Sequence, residues 1–321
     1  MDRSPESKAG LDSVGALEWK PPPWPEGLRK PGVYDGEPWE EYASWKAMNS
    51  TALKHLIDLS PKHARHAMTN RTDSRDRRFG RAEHALLLEG PEAFARRFLV
   101  ACGCQAVLKS GARKGEPCGL TGAVYDGSAW YCGKHAPEGA TEPEDYVTAE
   151  QYERMQRAIE AVYAHPAVKL IRQHGGTEVS VVWERDGLPC KARLDKLILD
   201  AKCPDTILDV KKCQAFGIAR HDLEASIVRY GWDVQARFYR DGVEAVTGKR
   251  CDFIWLFVED GPPYDVCPLR ASKRWMEVGR CRLNRAWQAW KWCIQTDTWP
   301  GVAVDIQDSD PPKWLSKRYG A

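Results

Sequence analysis

The chain has 321 residues, is 43% hydrophobic and 29% charged, and carries a formal charge of +2, enough apolar material to bury a substantial core. It has no apolar run near the roughly 20 residues that cross a bilayer, and its amino terminus MDRSPESKAG lacks the apolar stretch of a secretory signal, so a soluble intracellular protein, cytoplasmic in location, is expected. The net charge does not discriminate for or against a polyanionic partner, and eleven cysteines, an odd number, argue for buried thiols and a metal site over a disulfide framework.

Residues 1–41, with PPPWPEGLRKPG at their centre, are rich in proline and glycine, show no helical or strand period, and read as an extended arm. Residues 42–99 read as helical. From Tyr42 to about Ala67 apolar residues recur at helical spacing, with Asn49 or Ser50 available as a cap and Pro61 breaking the run. Further helices are expected over Phe79 to Leu88 and Pro91 to Phe98. Between Lys62 and Arg81 the chain supplies Lys62, Arg65, Arg71, Arg75, Arg77, Arg78 and Arg81 against Asp73 and Asp76, a stretch able to track phosphates.

Residues 100–140 read as a separate small insert. Cys104, Cys118, Cys132 and His135 are separated by thirteen, thirteen and two residues. The closing C-x-x-H is a compact metal knuckle that two distant cysteines can complete into a tetrahedral Cys3His zinc site. Glycines and charges fill the intervals, so the insert has little core of its own and needs the ion to hold it. Cys102 is a rival ligand, but the C-x13-C pattern favours Cys104; a histidine among the four argues against an iron–sulfur cluster. Lys109, Arg113, Lys114 and Lys134 give the insert cations able to meet a polyanion, and a docking surface for another protein fits the same residues.

Residues 141–301 are expected to form the main core, followed by a tail over 302–321. Within Gly176 to Lys212, Glu178 and Asp195 are equidistant from Asp186-Gly187, the strongest short-range signal for a two-residue hairpin turn. Asp195 and Asp209 are equidistant from Lys202, so a second hairpin sets these aspartates side by side, with Lys211 on the same face as Asp209. Carboxylates packed together repel unless a cation or basic group neutralises them. Hard oxygen ligands suit magnesium or manganese, and a lysine beside such an ion can orient or deprotonate water. The competing reading is a solvated face whose acids pair with Lys191, Arg193 and Lys196.

A helix then covers about Ala219 to Val246, strands cover Asp252 to Glu259 and Tyr264 to Leu269, and a helix runs from about Ala271 to Thr296. Near its start lies a second basic cluster, Arg270, Lys273, Arg274, Arg280, Arg282 and Arg285. The order suits an α/β fold, a mixed sheet flanked by helices with a small zinc-binding insert.

The RLD element at Asp195 and the Asp209-Val210-Lys211 triplet resemble the PD-(D/E)xK nuclease superfamily, and more narrowly the phage and prophage exonucleases related to exonuclease VIII. Segments NSTALKHLIDLSPKHARHA, FGRAEHALLLEG, RYGWDVQARFY and the tryptophan-rich helix ending in TWPG follow in the family's order. The resemblance implies a restriction-endonuclease-like fold and an exodeoxyribonuclease working with Mg2+ or Mn2+ on linear duplex DNA, in phage recombination beside a single-strand annealing protein. It implies that His84, Asp195, Asp209 and the carbonyl of Val210 hold the ion, and that Lys211 handles water. Glu178 matches the family's acid on the first strand; Gln235 and Tyr239, sharing a helix face with Trp232, match its Q-x-x-x-Y element and would support the substrate side. Relatives form rings, which makes a homo-oligomer an expectation. An endonuclease on the same core, or a non-catalytic DNA-binding or scaffolding protein using the zinc insert, are the rival readings.

Overall fold

A computed structural model describes residues 20–70, 75–168, 174–303 and 305–320. Residues 1–19 of the expected arm lie outside the described residues, as do Arg71, Asp73 and the side chains of Arg75, Asp76 and Arg77 in the first basic stretch.

Residues expected to be featureless begin the sheet instead. β1 (Gly32–Tyr34) pairs antiparallel with the later strand Gly176–Arg185, and Leu28, Tyr42, Trp45 and Ala47 bury against Val182 of that strand. Three residues are too few for a period of two to register in sequence, so tertiary packing makes this strand. The run from Tyr42 is three helices, α1 (Trp39–Ser44), α2 (Ser50–Asp58) and α3 (Pro61–Thr69). Asn49 caps α2 by accepting from the Ala52 amide at 3.1 Å, and Ser60 caps α3 with Pro61 in its first turn. α4 (Arg75–His84) passes into a π-helical turn over Ala85–Glu89, and α5 (Pro91–Arg97) follows.

The insert leaves the body through β2 (Leu99–Ala101), carries the small hairpin β3 (Val124–Tyr125) and β4 (Trp130–Tyr131), and returns through β5 (Tyr146–Thr148), which lies parallel to β2. α6 (Ala149–Ala164) was not anticipated, although its Thr148–Gln151 capping box could have been read from the sequence.

β6 (Gly176–Arg185), β7 (Leu188–Ile198) and β8 (Thr206–Cys213) form the expected meander, and β9 (Asp252–Glu259) and β10 (Val266–Arg270) complete a six-stranded sheet in the order β1-β6-β7-β8-β9-β10. β8 and β9 are parallel, so a crossover must join them. That crossover is two helices, α7 (Arg220–Arg229) and α8 (Trp232–Thr247). The single helix expected there breaks at Gly231, whose left-handed φ of 61° ends one segment and starts the next. α9 (Lys273–Thr296) and the short α10 (Lys313–Tyr319) close the chain.

Both sheet faces are covered. α2, α8 and α9 bury Leu53, Val234, Phe238, Leu283 and Trp287 against Val181, Trp183, Ile207, Phe253 and Phe257. On the opposite face Leu86, Phe94, Met155, Ile159 and Val162 pack on Leu208, Val210, Ile254, Leu256 and Val258. β8 and β9 are thus apolar on both sides, the pattern of a doubly covered sheet. Among the described residues, no helix is long and apolar enough to cross a membrane.

Candidate metal centre

The turn at Asp186-Gly187 has φ of 51° and 77°, as a two-residue turn matched to strand twist requires. It sets Val179 opposite Leu194 and Thr177 opposite Lys196, while Lys196 pairs with Leu208. That is the register expected from the sequence, and it brings Glu178, Asp195 and Asp209 to neighbouring positions on three strands. The inward alternation slips by one here: Val179 and Leu194 face the first core, and so does Leu197, three residues beyond Leu194. Glu178 absorbs the slip with a φ of 51°, a conformation costing a non-glycine residue about 1–3 kcal/mol and typical of sites where side-chain direction matters.

His84, the last residue of α4, reaches this slip from across the sheet. Its Nδ1 is 3.6 Å from Glu178 Oε1 and 3.6 Å from Asp195 Oδ1, and ligand atoms of all three residues lie within 4.8 Å of one another. The π-helical turn that follows widens the helix at this point, a common device at functional sites. Asp195 is buried, and its Oδ2 accepts from the Val210 amide at 2.6 Å. Glu178 Oε2 accepts from Arg193 Nε at 2.6 Å, so part of the solvated-face reading holds for that residue. Lys191 instead points away, fully buried, and donates to the carbonyls of Tyr42 and Trp45, each at 2.7 Å.

Asp209 stands outside the three-residue cluster. Its Oδ1 accepts from Gln235 Nε2 at 3.1 Å, its Oδ2 forms a close ion pair with Lys211, and Lys211 Nζ lies 5.3 Å from the centre of the Trp232 ring. The ligand set expected from the resemblance therefore falls into two adjoining groups, linked by the bond from Val210 to Asp195. Gln235 contacts the Asp209 carboxylate, and Tyr239 is buried on the same helix. Lys54 was not anticipated: its Nζ donates to Gln235 Oε1 at 3.1 Å, a contact across 181 residues that no local pattern announces.

Burial raises the Asp195 carboxyl to about 7, reinforced by Asp209 and Glu178 against the pull of His84. Burial alone would lower the His84 imidazole, but Asp195 and Glu178 outweigh it and raise the ring to about 10. For Glu178, burial is overcome by His84 and Arg193, and the carboxyl is lowered. The cluster thus binds positive charge tightly, whether as a proton or as a cation.

In the insert, ligand atoms of Cys104, Cys118, Cys132 and His135 also lie within 4.8 Å of one another. His135 Nδ1 is 3.6 Å from Cys104 Sγ and 3.5 Å from Cys132 Sγ. Cys102 is exposed and outside the group. Of the insert's cations, Arg113 is engaged with Glu116 at 2.8 Å, while Lys109, Lys114 and Lys134 are exposed.

The basic clusters are less available than their composition suggests. Arg65 pairs with Asp297 and Arg81 with Asp145; in the second cluster Arg270 pairs with Asp252, Arg280 with Glu277, and Arg282 with Asp233 at 2.6 Å. Lys62, Lys273, Arg274 and Arg285 remain exposed.

A family model described as "PDDEXK-like domain of unknown function (DUF3799)" matches residues 49–308. Among solved structures, a crystal structure from Eubacterium rectale described as a "Putative exonuclease" is similar with a TM-score of 0.52 at 10% identity, covering 86% of this chain and 94% of that one. At that identity the likeness is one of fold. No curated protein matches the sequence.

Proposed function

The chain belongs to the PDDEXK-like family, and from that premise we propose that it is a divalent-metal-dependent deoxyribonuclease hydrolysing phosphodiester bonds from the ends of linear duplex DNA. The observation that carries this reading is the convergence of His84, Glu178 and Asp195 within 4.8 Å, beside Asp209 and Lys211 on the next strand. The donors fit the ion: carboxylate oxygens and one imidazole nitrogen, with Asp195 buried and His84 and Glu178 half-buried, are a hard set suited to Mg2+ or Mn2+. His84, Glu178 and Asp195 would hold it, and Asp209 with the Val210 carbonyl would complete the set from the adjoining strand. When bound, such an ion polarises the scissile phosphate and offsets charge on the departing oxygen. Lys211 Nζ orients the attacking water and stabilises charge on the phosphoryl group. Water oxygen bonds to phosphorus in line as the bond to the 3′ oxygen breaks, leaving a 5′-phosphate. Lys62, Arg274 and Arg285 offer exposed positive charge to the DNA backbone. Structural zinc in the Cys104, Cys118, Cys132 and His135 group belongs to the same proposal, as does work beside a single-strand annealing protein in phage recombination, which rests on family analogy.

One purified sample tests the reading: cleavage of linear and covalently closed circular duplex with Mg2+ or Mn2+, alongside zinc content. Linear DNA should be degraded and closed circles spared, and Asp209→Ala or Lys211→Ala should abolish hydrolysis while leaving DNA binding largely intact. Cutting of closed circles would mean an endonuclease on this core. No cleavage by the unaltered protein with either ion would mean a DNA-binding or scaffolding role.

A further inference from the structure

We propose that Lys54 is a positioning residue of this centre: it fixes the Gln235 amide so that the amide nitrogen is aimed at Asp209. The inference rests on the metal-centre reading above and extends it to a helix that contributes no ligand.

The argument begins with hydrogen-bond chemistry. A lysine ammonium only donates, so the Gln235 atom it meets at 3.1 Å must be the oxygen. That choice leaves the Gln235 nitrogen 3.1 Å from Asp209 Oδ1, an acceptor when ionised. Rotating the amide by half a turn would oppose two donors at Lys54 and two oxygens at Asp209. Lys54 on α2 and Asp209 on β8 therefore select the same orientation of the Gln235 amide from its two ends. Asp209 Oδ2 is already taken by Lys211, so the two lysines bracket a single chain of contacts, Lys54 to Gln235 to Asp209 to Lys211.

Packing holds Lys54 in place. α2 is anchored through Ala52 and Leu53 in the core shared with α8 and α9. The Lys54 stem lies over Gly231, where an added Cβ would come within 2.9 Å of Lys54 Cγ. Gly231 thus starts α8 in a left-handed conformation and leaves the channel through which Lys54 reaches Gln235. The charged groups acting on the ammonium are Lys211, Asp209, Asp233 and Asp58, and burial with Lys211 lowers it to about 7. The ammonium form, which Asp209, Asp233 and Asp58 favour, is the one that only donates; the neutral amine keeps its N–H donors but also carries a lone pair. Gln235, expected from sequence to serve the substrate side, becomes an outer support for a carboxylate of the metal centre, the kind of partner that tunes a metal ligand.

A double-mutant cycle on the full-length protein tests this with Lys54→Met, Gln235→Leu and the pair, read by kcat and KM on linear duplex and by Mn2+ affinity from electron paramagnetic resonance. Each single change should lower kcat or Mn2+ affinity by about 10- to 100-fold, with KM for DNA little altered. The pair should be no worse than about twofold beyond Gln235→Leu, because both remove one unit. Lys54→Arg, which retains a donor, should recover most of the loss. Lys54→Leu replaces the Met variant if that protein does not fold. The proposal is overturned if Lys54→Met leaves both readouts unchanged, if the two losses multiply, or if only KM rises, which would make Lys54 a DNA contact. If the unaltered protein binds Mn2+ but cleaves no DNA, the nuclease reading fails, and the Mn2+ cycle still decides the role of Lys54.

Discussion

Two donor clusters sit in one chain and are built by opposite means. His84, Glu178 and Asp195 are carried by a helix and long strands whose apolar neighbours, such as Leu194 and Val181, are fully buried. Cys104, Cys118 and Cys132 form their own small apolar cluster, supported by Ala106, Leu108 and Tyr131 on loops and a two-residue hairpin. In the sheet, packing positions the donors. In the insert, the donors are most of the interior, so a bound ion would have to supply the order that packing supplies in the sheet.

The largest expected effect breaks chemistry without breaking the fold. Asp195→Ala should cut DNA cleavage by about 1,000-fold or more, the scale of losing a preorganised charged group, while the thermal unfolding midpoint stays within a few degrees. A large loss of stability instead would mean that this cluster, like the insert, holds up its own surroundings. Next comes Arg282→Ala, which strands Asp233, 0% exposed, at the contact of α8 and α9. Urea unfolding should register a loss of about 3 kcal/mol, since packing and buried pairs carry this half.

Cys118→Ser should act locally. Zinc content should fall to none, and limited proteolysis should move to residues 100–140, with cleavage by the sheet-borne site changed less than about threefold. Equal loss of cleavage would tie the two regions together.

The smallest effect is a contrast in pH. His84, raised from 6.5 to about 10, favours the fold fully below its ordinary value and loses that contribution as pH climbs through 10. Asp195, raised from 3.8 to about 7, binds its proton more tightly when folded, so its contribution likewise fades as pH rises from about 4 to 7. In chelator the main body should therefore soften with rising pH, and Mn2+ should reverse the trend. The insert should run the other way, because acid protonates thiolates and imidazole and releases zinc. Unfolding midpoints and proteolysis between pH 5 and 9 would report both directions.

What the sequence makes legible is local. The Asp186-Gly187 turn sits midway between Glu178 and Asp195, so counting outward yields the register found in β6 and β7. Cys104, Cys118, Cys132 and His135 announce themselves by residue type, and the structure gathers them. The left-handed backbone of Glu178 is invisible, since glutamate gives no sign of it. β1 is too short to show a period, and its partner β6 lies far along the chain. Lys54 resembles any helical lysine until Gln235 comes to meet it. In the sequence Arg282 is one member of a basic cluster, yet it pairs with buried Asp233 because two helices separated in sequence pack together. Charge composition counts cations; only the fold shows which are already engaged.

The parallel pairing of β2 with β5 limits how this protein can be trimmed. Leu99 lies beside Tyr146 and Ala101 beside Thr148, so the intervening chain must travel back along the strand before re-entering. A tight two-residue link cannot do that; parallel neighbours need a connection of about a dozen residues or more. The cysteine-bearing loop is therefore an enlarged version of a bridge that the architecture requires anyway, and a miniaturised relative lacking every cysteine would still have to keep a span of that length.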